Sequence, residues 1–104
     1  MMPKVSVTLR EPVTLHHKIA ITHGVLDQNV GEGAVLLDVS HGLYFGLDDT
    51  GYQFWKVLKN STSVEEAFLS LRQVYEVGDD ELKGDLLALV NELVANGLLT
   101  VVES

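Results

Sequence analysis

The histidines are the first residues of this chain to consider for chemistry, because histidine serves as a metal ligand and as a general acid or base. The 104 residues include four histidines, and His16, His17 and His23 fall close together. Adjacent histidines on a strand point to opposite sides, however, and no carboxylate follows at the spacing of a metal ligand. The sequence therefore predicts no metal site.

The sequence also contains no motif that indicates a catalytic nucleophile. No serine or threonine stands with a histidine in a triad-like arrangement, and no G-x-S-x-G, P-loop or G-x-G-x-x-G motif occurs. The chain also has no cysteine, which excludes thiol catalysis, thiolate metal sites and disulfides. We therefore expect a protein that is not an enzyme, with no catalytic residues and no cofactor.

The charge balance restricts the class of partner. Fifteen acidic and seven basic side chains give a formal net charge of -8, so nucleic-acid phosphates and anionic lipids would be repelled. The last predicted helix offers one base, Lys83, to a DNA backbone. Its acidic residues are Asp79, Asp80, Glu81, Asp85 and Glu92. We expect peptide or protein partners, with no nucleic acid and no membrane, and a DNA-binding regulator is a weaker alternative.

Length and hydropathy favour one soluble domain. A chain of 104 residues can bury one modest core. No signal peptide is recognisable, and no apolar run approaches the roughly 20 residues that span a bilayer. A cytoplasmic protein is expected. Residues 1–24 read as an N-terminal extension, either an extra strand or an ordered tail, and residues 25–104 read as the domain.

The domain begins with a strand pattern whose register can be predicted. Strands are expected at Val25–Val30, Ala34–Val39 and Leu43–Leu47. A three-residue loop ending at Gly42, with positive φ there, would place three apolar pairs on one face. These pairs are Val39 with Leu43, Leu37 with Phe45 and Val35 with Leu47. A two-residue loop would set Asp38 opposite Phe45 and bury an unpaired carboxylate, so the three-residue loop is favoured.

Three helices and a final apolar segment follow. Asp48 and Asp49 can cap a helix from about Thr50 to Lys59. Ser63-Val-Glu-Glu66 is a capping-box pattern that opens a second helix. Asp79 can cap a third helix that runs to Asn96, with Gly97 beyond its end. Leu98 to Val102 reads as a strand or an apolar clasp, so the fold class is α+β.

Several short motifs in this order resemble one family. They are Leu36-Leu37-Asp38, Gly42 to Asp48, Thr50-Gly51, Trp55, Ser63-Val64-Glu65-Glu66, Asp85 and Gly97-Leu98-Leu99. Together they are similar to the PqqD family, the small winged helix-turn-helix domains known as RiPP recognition elements. The resemblance covers roughly residues 25 to 100. Within the family, the Leu-Tyr-Phe-Gly-Leu-Asp segment looks most like the B1 component of lasso-peptide biosynthesis.

The resemblance implies a fold and a function. The fold would be a three-stranded antiparallel sheet followed by three helices in a winged helix-turn-helix arrangement. Such domains are not catalysts: they bind the leader segment of a ribosomally made precursor peptide. Expected partners are that leader, a leader peptidase, and a cyclase or other modifying enzyme. A PqqD-type peptide chaperone for a radical enzyme in cofactor biosynthesis is the alternative within the family.

The resemblance also places the binding residues, on the third strand and the third helix. The leader would add as a strand beside Leu43–Leu47. The groove would have Val35 and Leu37 as its floor, and Phe45, Leu82, Leu86 and Leu89 as its wall. Each of these side chains could instead be ordinary core. The expected peptide-binding residues are Val35, Leu37, Leu43, Tyr44, Phe45, Gly46, Leu82, Asp85, Leu86 and Leu89.

Overall fold

The computed structural model describes residues 12–102 and has two antiparallel sheets and three helices within them. The elements are β1 (Lys18–Ile21), β2 (Val25–Val30), β3 (Gly33–Asp38), β4 (Leu43–Leu47), α1 (Asp49–Lys59), α2 (Val64–Arg72), α3 (Asp79–Ala95) and β5 (Leu99–Val102). One sheet has the order β2-β3-β4, and β1 pairs with β5 in the other. The predicted α+β class, with a three-stranded antiparallel sheet and three helices, is confirmed.

The first two helices begin where side-chain caps are available. The Asp48 carboxylate accepts from the Gly51 N–H at 2.8 Å and starts α1 directly after β4. The Ser63 hydroxyl accepts from the Glu66 N–H at 3.1 Å and starts α2. The Glu66 carboxylate reaches back to the Thr62 N–H at 2.6 Å. Local capping therefore fixes the start of α1 directly after β4, and the start of α2 after Ser63.

The third helix begins differently from the prediction. Asp79 was expected at the N-cap, but Gly78 occupies that position without a side-chain bond and Asp79 is the first helical residue. Three acidic residues in the first turn supply the favourable interaction with the helix dipole instead. At the other end Gly97 has a φ of +78°, which glycine adopts without strain, as expected from the sequence.

The predicted register of the β3–β4 hairpin is wrong. The structure pairs Leu36 with Phe45 and Asp38 with Leu43, so the loop holds four residues, Val39 to Gly42. This register buries Asp38, which is only 3% exposed. The burial is tolerated because the Asp38 carboxylate bonds the His41 ring nitrogen Nδ1 at 2.8 Å, an interaction that lowers the pKa of Asp38.

The change of register exchanges the two faces of β3, whereas Phe45 and Leu47 of β4 keep the inner face. Ala34, Leu36 and Asp38 of β3 are buried, whereas Val35 and Leu37 alternate with them and lie on the face away from the helices. Val35 and Leu37 therefore do not form the floor of a groove between sheet and helices, as was expected from the sequence.

The helices pack against the inner face of the larger sheet. The buried core cluster contains Val13, Ile19, Leu36, Leu47, Phe54, Trp55, Leu58, Val64, Ala67, Phe68, Leu71, Leu82, Leu86, Val90, Leu93, Leu98 and Leu99. Trp55 is 1% exposed, and its indole N–H donates to the Asp27 carboxylate at 2.8 Å. Lys59 bonds the same Asp27 oxygen at 2.7 Å, so β2 is tied to α1.

Residues 12–24, the described part of the expected N-terminal extension, contribute to the same core; residues 1–11 lie outside the described residues. Ile19 of β1 is buried, and the Asn91 side chain of α3 accepts from the Val13 N–H at 2.8 Å. The Ile19 N–H donates to Thr62 at 3.1 Å, which joins β1 to the turn before α2. Within residues 12–102, no helix is both long and apolar enough to span a bilayer.

Candidate functional site

A groove lies between β4, the first turn of α1 and one face of α3. Its volume is about 440 Å³. The lining residues are Phe45, Gly46, Leu47, Asp48, Thr50, Gly51, Phe54, Asp85, Ala88, Leu89 and Glu92. The four α3 residues recur at the i, i+3, i+4, i+7 spacing that places side chains on one helix face. One strand and one helix therefore face each other across an open cleft.

The strand that borders the groove is an edge strand. β3 pairs with one side of β4, and no strand of the described part of the chain pairs with the other side. An edge strand presents N–H and C=O groups that an added strand can satisfy. The groove thus combines a backbone ladder along β4 with side-chain contacts from α3.

The apolar floor of the groove is well supported. Phe54 is 4% exposed, and its ring meets Tyr75 edge-on at a centroid distance of 5.6 Å. Burial is the main reason that the pKa of Tyr75 is raised. Leu47 is 8% exposed, and Phe45 and Leu89 are half-buried against the core. The floor can therefore accept an apolar side chain without rearranging the core.

The rim of the groove is acidic. Asp48 is already engaged by the Gly51 N–H of α1. Asp85 and Glu92 are exposed residues of α3, and within residues 12–102 no basic group forms an ion pair with either. Over the same span, no group of three or more histidine, aspartate or glutamate side chains could hold a metal ion.

The comparison with family models decides the affiliation of this fold. Residues 33–99, more than half of the chain, match the model described as coenzyme PQQ synthesis protein D (PqqD). The chain belongs to the PqqD family. The matched range runs from β3 into β5 and includes every element that borders the groove. A search of curated proteins found no match.

Two solved structures resemble this PqqD-family protein over most of its length. The structure of TbiB1 in complex with the TbiA(beta) leader peptide is 27% identical with a TM-score of 0.71, covering 82% of this chain and 99% of that one. A lasso peptide synthetase B1 complexed with the leader peptide is 28% identical with a TM-score of 0.68, covering 80% and 98%. The predicted likeness to lasso B1 proteins is confirmed.

Four of the expected binding residues meet in the groove of this PqqD-family protein. Phe45 and Gly46 line it from β4, and Asp85 and Leu89 line it from α3. Leu82 and Leu86 do not, because they are 2% and 0% exposed in the core. The expected groove wall is corrected accordingly: Leu89 forms it with Ala88.

The remaining expected residues lie outside the groove. Tyr44 is 79% exposed and shares the outer sheet face with Val35 and Leu37. Leu43 is 51% exposed at the start of β4, opposite Asp38, and does not line the cleft. Contact of these four residues with a peptide stays a prediction. None of them lines the groove.

Sequence reasoning missed several lining residues. Glu92 follows Asp85 by seven positions, a spacing that places both on one face of a helix and could have indicated the pair. Asp48 was interpreted as a helix cap and Thr50-Gly51 as a family motif, and neither was assigned to the peptide site, yet these residues line the groove. No local signal distinguishes Ala88 as a wall residue.

Proposed function

We propose that this protein binds the leader segment of a ribosomally made precursor, namely a lasso-peptide precursor, by adding the leader as a strand to β4. The observation that supports the proposal is that β4 has no strand paired to one of its sides within residues 12–102, and that this side borders an apolar groove. Two structures that resemble the chain are described as complexes with leader peptides. Strand addition is a general mode of peptide recognition, in which main-chain bonds give affinity and pockets give selectivity.

The geometry suggests how selectivity would arise. A strand added beside β4 would point alternate side chains toward the helices, because the side-chain period of a strand is two. Those side chains would enter the cleft between Phe45 and Leu89. The intervening side chains would lie level with Tyr44 on the outer face. A leader would thus be read at every second residue.

In this proposal the protein is not a catalyst. It presents the bound leader to a leader peptidase, and to a cyclase or other modifying enzyme. The winged helix-turn-helix description of the fold and a cytoplasmic location belong to the same proposal. The description of the matching family model favours a second candidate, a PqqD-type chaperone that holds a peptide for a radical enzyme in cofactor biosynthesis.

Titration with a synthetic leader peptide tests the proposal. The leader would be taken from a short precursor gene next to the gene of this protein, and binding measured by calorimetry or fluorescence anisotropy. We expect saturable binding in the nanomolar to low micromolar range. If every neighbouring leader fails to bind, the proposal is wrong. Binding of the substrate peptide of a radical enzyme in place of a lasso leader would support the second candidate.

Backbone methylation of the peptide tests the strand addition itself. In an added strand, consecutive N–H groups point alternately toward β4 and away from it. N-methylation at successive positions should therefore weaken binding at alternate residues, by more than tenfold where a ladder bond is lost. Uniform effects at all positions would instead indicate that side chains alone hold the peptide.

Two aromatic residues of β4 offer a matched pair of variants. Phe45 lines the groove, whereas the neighbouring Tyr44 points to the outer face. F45S should weaken leader binding by roughly tenfold, since about 1.4 kcal/mol of apolar contact is lost. Y44S should weaken binding less, by up to about threefold, because Tyr44 would meet only the outward side chains of the added strand. An equal loss in both variants would contradict the assignment of the groove.

A further inference from the structure

The groove has a definite pattern of charge along the α3 wall. Asp85 and Glu92 line it seven residues apart, so they are about 10.5 Å apart along the helix axis. Leu89 lies between them and is half-buried. Among the described residues that line the groove, none is lysine, arginine or histidine. An apolar centre is therefore flanked by carboxylates at both ends.

We propose that the groove selects leader segments in which an apolar residue is flanked, two positions away on at least one side, by lysine or arginine. This inference rests on the proposed function, because it specifies the occupant of the same cleft. It concerns the sequence class of the leader and not its mode of binding. The residues that determine the selection are Asp85 and Glu92.

The spacing of an added strand matches the spacing of the carboxylates. Residues two apart in a strand point to the same face and lie about 6.8 Å apart, and residues four apart span about 13.5 Å. An added strand that runs along α3 would therefore cover the distance from Asp85 to Glu92 with three consecutive inward side chains. The central one would meet Leu89, and one or both outer ones would come within reach of a carboxylate.

Charge complementarity decides the type of the outer side chains. Three basic side chains make their contacts away from the groove. Lys59 pairs with Asp27, Arg72 pairs with Asp79, and Lys56 lies over the Tyr52 ring. An acidic leader residue would add a fourth carboxylate to a cleft that already contains Asp48, Asp85 and Glu92. A lysine or arginine would pack its aliphatic stem on Ala88 or Leu89 and place its charge at the rim.

Charge-removing variants test the inference directly. The probe is the leader peptide that binds the wild type, together with a version in which each inward lysine or arginine is glutamine. D85N and E92Q should each weaken binding about threefold to tenfold for the native leader, and much less for the glutamine version. The loss should shrink as ionic strength rises. E76Q, the same change of charge in the loop before α3 and outside the groove, is the control.

A charge swap provides the stricter test. E92K should weaken the native leader by more than tenfold, and a leader with glutamate at the matching position should recover affinity with E92K. A leader that binds the wild type but is unaffected by D85N, E92Q and E92K overturns this inference and leaves leader binding intact. Failure of the wild type to bind any leader overturns the proposed function first.

Discussion

Truncating Leu86 and Leu89 to alanine should separate the core of α3 from its groove. The two leucines are less than one helical turn apart, and both were expected from the sequence to contact a peptide. Leu86 is fully buried, whereas Leu89 is half-buried at the cleft. The same substitution should therefore change mainly the stability at Leu86 and mainly the peptide affinity at Leu89.

The stability effect of L86A follows from its burial. A buried leucine replaced by alanine typically costs about 2 to 5 kcal/mol, against a total stability of about 5 to 15 kcal/mol for such a domain. We expect a fall in Tm of about 10 °C or more. L89A leaves no enclosed cavity, and its cost should be about 1 kcal/mol.

The binding effect should have the opposite order. Leu89 loses three carbon atoms in L89A, and at most about a third of its surface is still available for a peptide to cover. At about 0.8 kcal/mol per buried carbon, the lost contact is about 0.8 kcal/mol, or roughly a fourfold rise in Kd. L86A should leave the Kd of the folded fraction nearly unchanged, because its side chain faces the core.

Chemical denaturation and peptide titration at a temperature where both variants are folded provide the measurements. Urea unfolding gives the two free energies, and leader titration of the same samples gives the two Kd values. The reasoning is refuted if L86A weakens binding more than L89A while both are folded. It is also refuted if L89A destabilises the protein as much as L86A does.

Two further predictions concern the sheet. A Cβ added at Gly33 would collide with the Leu47 carbonyl oxygen, so G33A should lower the free energy of unfolding by about 2 kcal/mol or more. A Cβ at Gly46 would have open space around it, so G46A should change that free energy by less than about 0.5 kcal/mol. Urea unfolding measures both, and equal effects would contradict this geometry. Bonds from Lys59 and Trp55 hold the pKa of Asp27 below its ordinary value of 3.8. The contribution of Asp27 to the stability of the fold is therefore complete above pH 3.8 and is lost as the pH falls through the pKa of the folded state. D27N should cost about 1 kcal/mol at pH 7 and lose less stability than the wild type on acidification toward pH 2, and a parallel decline of both proteins would contradict the interaction.

The helices of this fold could be predicted from local sequence because their caps are local. Asp48, Ser63 and Gly97 each act within a few residues of their own position, and the structure places them at the expected helix ends. Asp79 shows the limit of such reasoning. An acidic residue is favourable at the N-cap and in the first turn alike, so its type does not fix which position it takes.

The hairpin register could not be predicted because it depends on the interaction of Asp38 with His41, which the rules of turn length do not include. A buried carboxylate argues against a register only if it is unpaired, and His41, inside the loop, supplies the partner of Asp38. The resulting shift by one residue moved Val35 and Leu37 to the outer face.

The groove was predicted in outline and not in detail. A strand and a helix face were expected to meet, and Phe45, Gly46, Asp85 and Leu89 do so. The apolar arc of α3 is broad, and its pattern alone does not tell which part faces the core. Leu82 and Leu86 were assigned to the wrong part of this arc for that reason.

The pairing of β1 with β5 has a consequence for synthesis of the chain. Thr22 and Thr100, which bond at the end of this small sheet, are 78 positions apart. Strand β1 has no such partner until β5 has left the ribosome, although the residues of the groove have all been translated by then. Contacts between distant positions also have the largest entropic cost of closure. We therefore expect the β1–β5 sheet to close only after the elements of the peptide cleft are in place.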